Sequence, residues 1–220
     1  MGALSGSISF SKFVVRGEVP SRFQEKFMRS VKLRAFKPLE LEDEEDERCG
    51  WCAVGNGLEV EPDQGSVILN EYLLLGFRVD KWRLPKTLFD AHYEQVAQAL
   101  QQRVGRDKLS KKEREEVKFR VTRRLRKKIL PTMRHSDLVW DLNQGSLLFW
   151  NRSERVKEQM TALFEKTFQL TLDEFSPFIA AREQVDSQLL ASLCEAEPSS
   201  FFDPDLVVQF PKESADDGAG

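Results

Sequence analysis

The stretch between Ser110 and Pro131 constrains the fold most, because its pattern fits one long amphipathic helix. Ser110 and Glu113 form a capping box, which predicts that a helix begins at about residue 111. Pro131 cannot continue a helix, so the helix must end before it. The apolar residues between these two ends recur at every fourth position: Val117, Val121, Leu125 and Ile129. We therefore predict a helix over residues 111–129 that packs against the protein along this stripe.

The other sides of this predicted helix are strongly basic. Residues 103–135 contain 14 Lys or Arg and four acids, a net charge of +10, so the rest of the chain carries −13 to give the total of −3. After Glu116 no acid occurs until Asp137. Uncompensated like charges at helical spacing are destabilising, and a polyanion would relieve that repulsion. Nucleic acid is the obvious polyanion, because each neutralised phosphate releases a counterion.

Two other interpretations of the basic helix stay open. It could be a solvated face neutralised by acids elsewhere in the fold, or a protein-interaction surface for an acidic partner or a lipid. Residues 40–47, which we name the acidic segment, contain seven acids. A run of this kind is usually a solvated loop, but it could also imitate nucleic acid and shield the basic helix.

The composition favours a folded, soluble, cytoplasmic protein. The 220 residues include 16 Phe and four Trp, and 40% of them are hydrophobic, which is enough for a buried core. No apolar run approaches the roughly 18 residues of a membrane helix, and the first residues lack the features of a signal peptide. The odd count of three cysteines argues against a secreted disulfide framework.

The remaining pattern predicts an α+β fold, in which antiparallel sheet segments pack with amphipathic helices. Predicted strands lie at residues 8–16, 66–75 and 77–83, followed by a hairpin of 138–142 with 146–150. A first helix is predicted to open at residues 20–23, with an apolar stripe of Phe23, Phe27, Val31 and Leu33, and further helices lie at 86–104, 153–167 and 186–195, besides the basic helix. The acidic segment is predicted as a loop, and residues 50–65 as turns with a short extended piece.

The domain prediction divides the chain into three parts. Residues 1–7 are predicted to be a flexible N-terminus and residues 211–220 a disordered acidic tail. Residues 8–210 form the α+β region, which could divide into two sub-domains near 105–110.

The chain offers few groups for catalysis. A nuclease needs clustered acids around a metal ion. The candidates are Asp137 with Asp141, and the group Glu59, Glu61 and Asp63, but each is more typical of a strand edge or a turn. No Walker-type phosphate loop occurs. We expect a protein that is not an enzyme, and a nuclease stays the weaker alternative.

Metal sites and base-stacking sites are also poorly supported. Cys49 and Cys52 have C-x-x-C spacing, but a zinc site needs two more ligands, and the chain offers only His92, His135 and Cys194. No Ser or Cys is placed to pair with either histidine. We interpret the two cysteines as small buried thiols at a turn and expect no metal or cofactor. The four tryptophans are more typical of a core or a dimer contact than of a stacking platform: Trp51, Trp82, Trp140 and Trp150.

Several segments follow one another in a recognisable order. FVVRGEVP and the helix ending in FMRSVKLRAFKP come first, followed by Cys49-Gly50-Trp51. WRLPKTLFDAHYEQ and the helix beginning LSKKEREEVK come next, and that helix ends at Leu130-Pro131. The hairpin VWDLNQGSLLF then leads into SERVKEQMTALFEKTF. This ordered set, over roughly residues 8–172, resembles the RdgC family of bacterial recombination-associated DNA-binding proteins.

The resemblance implies a non-catalytic protein that binds double-stranded DNA with little sequence preference. RdgC proteins form ring-like homodimers that encircle the duplex through a basic hole, and they restrain RecA-dependent strand exchange. The resemblance therefore implies a homodimer, a RecA-type recombinase as a further partner and association with the nucleoid. Longer members continue past the end of this sequence with a further C-terminal region, so it resembles a short form, with an open dimer or another assembly if that region closes the ring.

The resemblance also implies a finger. In the family, a loop after the Leu-Pro pair carries a basic residue and an aromatic. The corresponding residues here are 132–135, where Arg134 supplies the charge and Met133 is the only apolar wedge.

The predicted DNA contacts are basic residues that would meet phosphates without reading bases. The first group lies on and just after the basic helix: Lys118, Arg120, Arg123, Arg124, Lys127, Lys128 and Arg134. Second-line candidates adjoin the earlier Leu-Pro turn: Lys81, Arg83 and Lys86. We expect neither a membrane nor a small-molecule substrate among the partners.

Overall fold

One antiparallel sheet organises most of the chain, which a computed structural model describes at residues 2–4 and 8–195. Met1, residues 5–7 and residues 196–220 lie outside the described residues, and the predicted acidic tail is among them. The strands are β1 Ser11–Arg16, β2 Glu47–Cys52, β3 Ile68–Leu69, β4 Tyr72–Lys81, β5 Thr132–Asp141, β6 Ser146–Phe149 and β7 Thr171–Glu174. Their order in the sheet is β2-β4-β5-β6-β1-β7, with β3 paired to β4. The predicted α+β class with an antiparallel sheet is confirmed.

The helices fall into two compact units, one ending at Phe175 and the other beginning at Ser176. The first unit holds α1 Phe23–Leu33, α2 Gln64–Val67, α3 Lys86–Val104, α4 Lys111–Arg126 and α5 Glu154–Phe168. The second unit holds α6 Pro177–Gln184 and α7 Ser187–Glu195. No helix in the described part of the chain combines the length and the apolar character needed to cross a membrane.

The main core lies between one face of the sheet and the helices α1 and α5. Alternate residues of a strand point to the same face, so the inward residues of β4 and β5 meet the apolar stripes of both helices. Trp140 of β5 packs against Phe27 of α1 and Phe164 of α5, with ring centroids 5.6 and 5.3 Å apart. Phe168 joins the same aromatic cluster. Such fully buried aromatic groups are the largest apolar contribution to the stability of this unit.

The helices α3 and α4 form a hairpin that interrupts the pairing of β4 with β5. These strands pair from Tyr72 opposite Asp141 to Lys81 opposite Thr132, so residues 82–131 leave the sheet at one end of the pair. The hairpin has its own small core, where the predicted stripe of α4 packs against α3 and the chain that enters and leaves it. Its buried members are Val117, Val121 and Leu125.

Most local predictions are confirmed. The capping box at Ser110 is present, with the Ser110 N–H donating to Glu113 at 2.7 Å, and α3 has the predicted bounds. The helix α4 ends at Arg126 rather than at residue 129, and residues 105–110 form the turn between two packed helices. Within the predicted flexible N-terminus, Ala3 donates its backbone N–H to the carboxylate of Asp137 at 2.7 Å.

Three predictions about strands are wrong. Residues 47–52 form β2, although residues from Gly50 were predicted as turns, because this strand lacks the alternation that marks a half-buried strand. The strand predicted at 66–75 is divided, because residues 66–67 end α2 and residues 68–69 form β3, and only its last residues join the predicted strand after Gly76 as one continuous strand, β4. The predicted finger, residues 132–135, is the paired start of β5. The sequence also gave no signal for β7 and α6.

Gly76 lies inside β4 because neighbouring groups leave no space for a side chain. A Cβ atom at this position would lie 2.4 Å from the Ala53 carbonyl oxygen, 2.5 Å from His135 Nε2 and 2.7 Å from Cys52 Sγ. We expect Gly76→Ala to lower the free energy of unfolding by about 1–3 kcal/mol, as overpacked sites do. Chemical denaturation measures this change.

The matched control is Gly65→Ala, where a Cβ atom would meet no atom closer than 3.3 Å. Equal stability losses in the two variants would contradict the argument from close packing.

Candidate nucleic-acid interface

The helix α4 turns its stripe inward and its basic side chains outward. With 3.6 residues per turn, residues 117, 121 and 125 share the buried side and leave most of the rest of the circumference exposed. Every member of the predicted first group is exposed: Lys118, Arg120, Arg123, Arg124, Lys127, Lys128 and Arg134.

Four of these cations converge on one shallow depression, which we name the basic face. Arg120, Arg123, Arg124 and Lys127 line it, together with Glu116 and Phe119. Phe119 is an apolar side chain among these charged ones, and it is 58% exposed. A ring surrounded by guanidinium and ammonium groups can contact an aromatic base or another apolar group while the cations meet phosphates. Phe119 is not among the predicted contacts, although an aromatic residue outside the stripe spacing of 117, 121 and 125 is a signal for an exposed ring.

The acidic segment contacts this helix. Arg123 Nη2 lies 2.5 Å from Glu42 Oε1, and both side chains are about half exposed. Arg126 is only 6% exposed and donates to the backbone oxygens of Asp43 and Glu45 and to Asp46 Oδ1, the last at 2.5 Å. Two of the arginines that have no acidic neighbour along the helix are therefore paired with acids about 80 residues earlier in the chain.

The basic face keeps a positive charge after this pairing. Arg120 pairs with Glu116 of its own helix at 2.9 Å. Within the part of the chain that the structure describes, Lys118, Arg124, Lys127 and Lys128 form no ion pair. These exposed cations carry the potential that a polyanion would meet first.

The second-line candidates lie elsewhere. Lys81 and Arg83 line a separate cavity together with Arg134 and with Arg155, which the sequence analysis did not select. Lys81 Nζ lies 2.6 Å from Glu47 Oε2, so this lysine is already paired. Lys86 is exposed at the first turn of α3 and lines neither surface.

The predicted finger does not exist as a loop. Arg134 lies opposite Val79 and Met133 lies opposite Asp80 in the paired strands β4 and β5. Successive residues of a strand point to opposite faces, so Met133 and Arg134 cannot act together at one tip. Met133 is 43% exposed.

Three of the acids weighed as nuclease ligands, Asp137, Asp141 and Asp63, have structural contacts, and Glu59 and Glu61 are exposed. Asp137 is fully buried, and its carboxylate accepts from the backbone N–H groups of Ala3 and Gly55, with His135 Nε2 at 3.2 Å. Asp141 Oδ1 accepts from two N–H groups of the hairpin turn. Asp63 caps α2. No group of three or more His, Cys, Asp or Glu side chains among the described residues is arranged to hold a metal ion.

The C-x-x-C pair lies in β2 rather than at a turn. Cys49 is opposite Val79 and Cys52 is opposite Gly76, so the two side chains point to opposite faces of the sheet. Burial raises the pKa of Cys49 and raises the pKa of Cys52 to about 12, so neither thiol is activated as a nucleophile.

Three tryptophans are core residues, as predicted. Trp51 and Trp140 are fully buried and Trp82 is 7% exposed. Trp150 is half-buried and contacts Phe10, with ring centroids 5.6 Å apart.

No protein-family model matches this chain, and no curated protein matches it significantly. The resemblance to RdgC proteins therefore stays a prediction, and the functional argument rests on the side chains described above.

Glu47 connects three elements at the edge of this region. Its carboxylate accepts from Lys81 of β4 and from Arg155 and Gln159 of α5, at 2.6–2.7 Å. Burial alone would raise the pKa of Glu47, but the hydrogen bonds from Lys81 and Gln159 and the charges of Lys81 and Arg155 outweigh burial and lower it below its ordinary value of 4.5.

The pKa of Glu47 is lowered by folding, so its ionised form stabilises the fold above the unfolded pKa, and that stability is lost as the pH falls through the folded pKa. We expect Glu47→Gln to lower the free energy of unfolding by about 1–2 kcal/mol at pH 7. The difference from the wild type should shrink as the pH falls below about 4.5. Urea denaturation at several pH values measures both.

Glu44→Gln is the control, because Glu44 is exposed and forms no ion pair with a described residue. A Glu47→Gln deficit of the same size at pH 3 and pH 7 would contradict the ionised-carboxylate explanation.

Proposed function

We propose that this protein binds double-stranded DNA without sequence preference through the basic face of α4. The observation that carries the proposal is the group of exposed cations around Phe119, four of them converging on one depression. Arg and Lys side chains bind phosphates, whereas base-specific readout needs side chains placed in a groove. The proposed contacts are Lys118, Arg120, Arg123, Arg124, Lys127 and Lys128.

The position of α4 supports this proposal. The helical hairpin leaves the sheet at the end of the β4–β5 pair, so its outer side is not covered by the main core. A projecting helix with an exposed charged side can approach a duplex without rearrangement of the sheet. Phosphate binding needs only positively charged side chains in suitable positions, and it requires no catalytic group.

The wider cellular role is also a proposal, and it is based on the resemblance to the RdgC family. We infer a non-enzymatic homodimer in the nucleoid that restrains strand exchange by a RecA-type recombinase. The resemblance to the RdgC family supports this inference, and the missing finger removes one of the features that the family would supply.

A protein-interaction module is the second candidate. The contact of Arg123 with Glu42 favours it, because this pair demonstrates that the basic face accepts carboxylates in a suitable geometry. An acidic protein segment would occupy the same cations. Competition by plain duplex DNA separates the two functions, whereas salt dependence alone does not.

The first test changes the four cations at the C-terminal half of the basic helix: Arg123, Arg124, Lys127 and Lys128, each to Gln. Binding of a random-sequence duplex is followed by fluorescence anisotropy between 50 and 200 mM salt. We expect the wild type to lose affinity about 10³- to 10⁵-fold over this range if six to ten phosphates are contacted. The slope of log affinity against log salt should fall by about one for each phosphate contact removed.

The matched control neutralises four exposed cations at α1: Arg22, Lys26, Arg29 and Lys32. This variant has the same net charge as the test variant, and we expect it to bind with nearly wild-type affinity. Equal losses in both variants, or a flat salt response of the wild type, would count against the basic face as the binding site.

A second test concerns the acidic segment. A phosphate and the carboxylate of Glu42 would compete for Arg123, so Glu42→Gln should strengthen duplex binding. The pair is exposed, and exposed pairs contribute about 0.2–1 kcal/mol, so we expect a gain of about 1.4- to fivefold at low salt. Anisotropy titrations at one salt concentration measure it.

Glu44→Gln makes the same change of net charge but removes no ion pair with a described residue. An equal gain in both variants would attribute the effect to net charge and not to release of Arg123.

A further inference from the structure

A small cavity lies between the ends of β2, β4 and β5 and the first turn of α5. Its volume is about 100 Å³, so it can take a group of a few non-hydrogen atoms. Phe77, Val79 and Val156 form its apolar part. The cavity is separate from the basic face and none of its lining residues belongs to α4.

The lining is rich in cations. Lys81, Arg83, Arg134 and Arg155 face Glu47, which is the only acid in the lining, so the net charge of these five side chains is +3. Lys81 and Arg155 each donate to Glu47 at 2.6 Å. Arg83 and Arg134 form no ion pair with any residue between 8 and 195, so their donors remain open to a ligand.

A buried hydroxyl adds a neutral donor. Ser136 is 4% exposed and lines the cavity, and its Oγ accepts a hydrogen bond from Asn151 Nδ2 at 2.9 Å. The hydroxyl hydrogen is then left to donate, and no acceptor for it occurs among the described residues. A buried donor without an acceptor is costly unless a ligand or water supplies one.

We propose that this cavity binds the terminal group of a phosphate monoester, with Arg83, Arg134 and Ser136 as donors. A monoester carries up to two negative charges and three unsubstituted oxygens, which matches several convergent donors and a lining of net positive charge. A phosphodiester inside a strand has two substituents and one charge, so it offers this small cavity fewer unsubstituted oxygens and less charge than a monoester does. Glu47 weakens binding of the ligand, because it forms ion pairs with Lys81 and Arg155 and its negative charge repels the phosphate.

The site takes phosphate monoesters from two sources, a free small molecule or the phosphorylated end of a nucleic-acid strand. The proposal does not depend on duplex binding by the basic face, because no cation is shared between the two surfaces. Failure of one proposal therefore leaves the other intact.

Isothermal titration calorimetry with phenyl phosphate, at constant ionic strength, tests the site. We expect binding by the wild type, a loss of about tenfold or more in Arg134→Gln and in Arg83→Gln, and stronger binding in Glu47→Gln. Both arginines are exposed, so their replacement should leave the fold intact, which thermal unfolding of each variant checks. Arg29→Gln, on α1 and in neither proposed site, is the control and should bind as the wild type does.

Methyl phenyl phosphate, a diester, is the ligand control and should bind at least tenfold more weakly. The proposal is overturned if the wild type does not bind phenyl phosphate, if Arg134→Gln and Arg83→Gln bind like the wild type, or if the diester binds equally well.

Competition experiments then identify the source. Two duplexes of the same sequence, one with 5′-phosphate and one with 5′-hydroxyl ends, compete with phenyl phosphate in the charge-neutralised α4 variant. Competition by the phosphorylated duplex alone assigns the site to strand ends, and competition by neither assigns it to small phosphorylated molecules. Equal competition by both would overturn the selectivity for monoesters.

Discussion

The contact between the acidic segment and Arg126 holds the helical hairpin to the sheet. Arg126 is almost fully buried at the end of α4, where it donates to two backbone oxygens and to Asp46. The backbone N–H of Trp82 donates to the Asp46 carbonyl oxygen at 2.8 Å, which ties the start of the hairpin to the same segment. A buried guanidinium must be compensated, so these contacts hold the start of the hairpin and the end of α4 against the acidic segment.

The same segment explains how a chain with a net charge of −3 can carry so basic a helix. Its acids form ion pairs with cations of α4, β4 and α5. Positive and negative charges that are separated along the sequence are therefore partly paired in the folded structure. Among the cations that form no ion pair with a described residue, Lys118, Arg124, Lys127 and Lys128 lie on or just after α4, and Arg83 and Arg134 line the cavity beside α5. At each of these two places several cations line one depression, so an anionic ligand would meet more than one of them at once.

The parts of the fold that could be predicted from the sequence depend on local signals. The capping box at Ser110, the stripe of α4 and the hairpin turn each lie within a few residues, and each is present in the structure. The parts that were missed depend on distant residues. The strand β2 has no alternation, Gly76 is required by atoms of Ala53 and His135, and Arg126 meets Asp46 across 80 positions. Periodicity cannot detect such partners.

Burial separates two kinds of arginine on α4 that are indistinguishable in the sequence. Removing a partner from a buried charge typically costs about 3–5 kcal/mol, whereas an exposed pair contributes about 0.2–1 kcal/mol. Arg126 therefore has a structural role, because a ligand would have to replace three acceptors of a buried charge at a large cost in free energy. Arg123 belongs to the surface, because a phosphate can replace Glu42 at little cost. One turn of the helix thus contains both Arg126, which holds the hairpin to the acidic segment, and Arg123, which can exchange Glu42 for a phosphate.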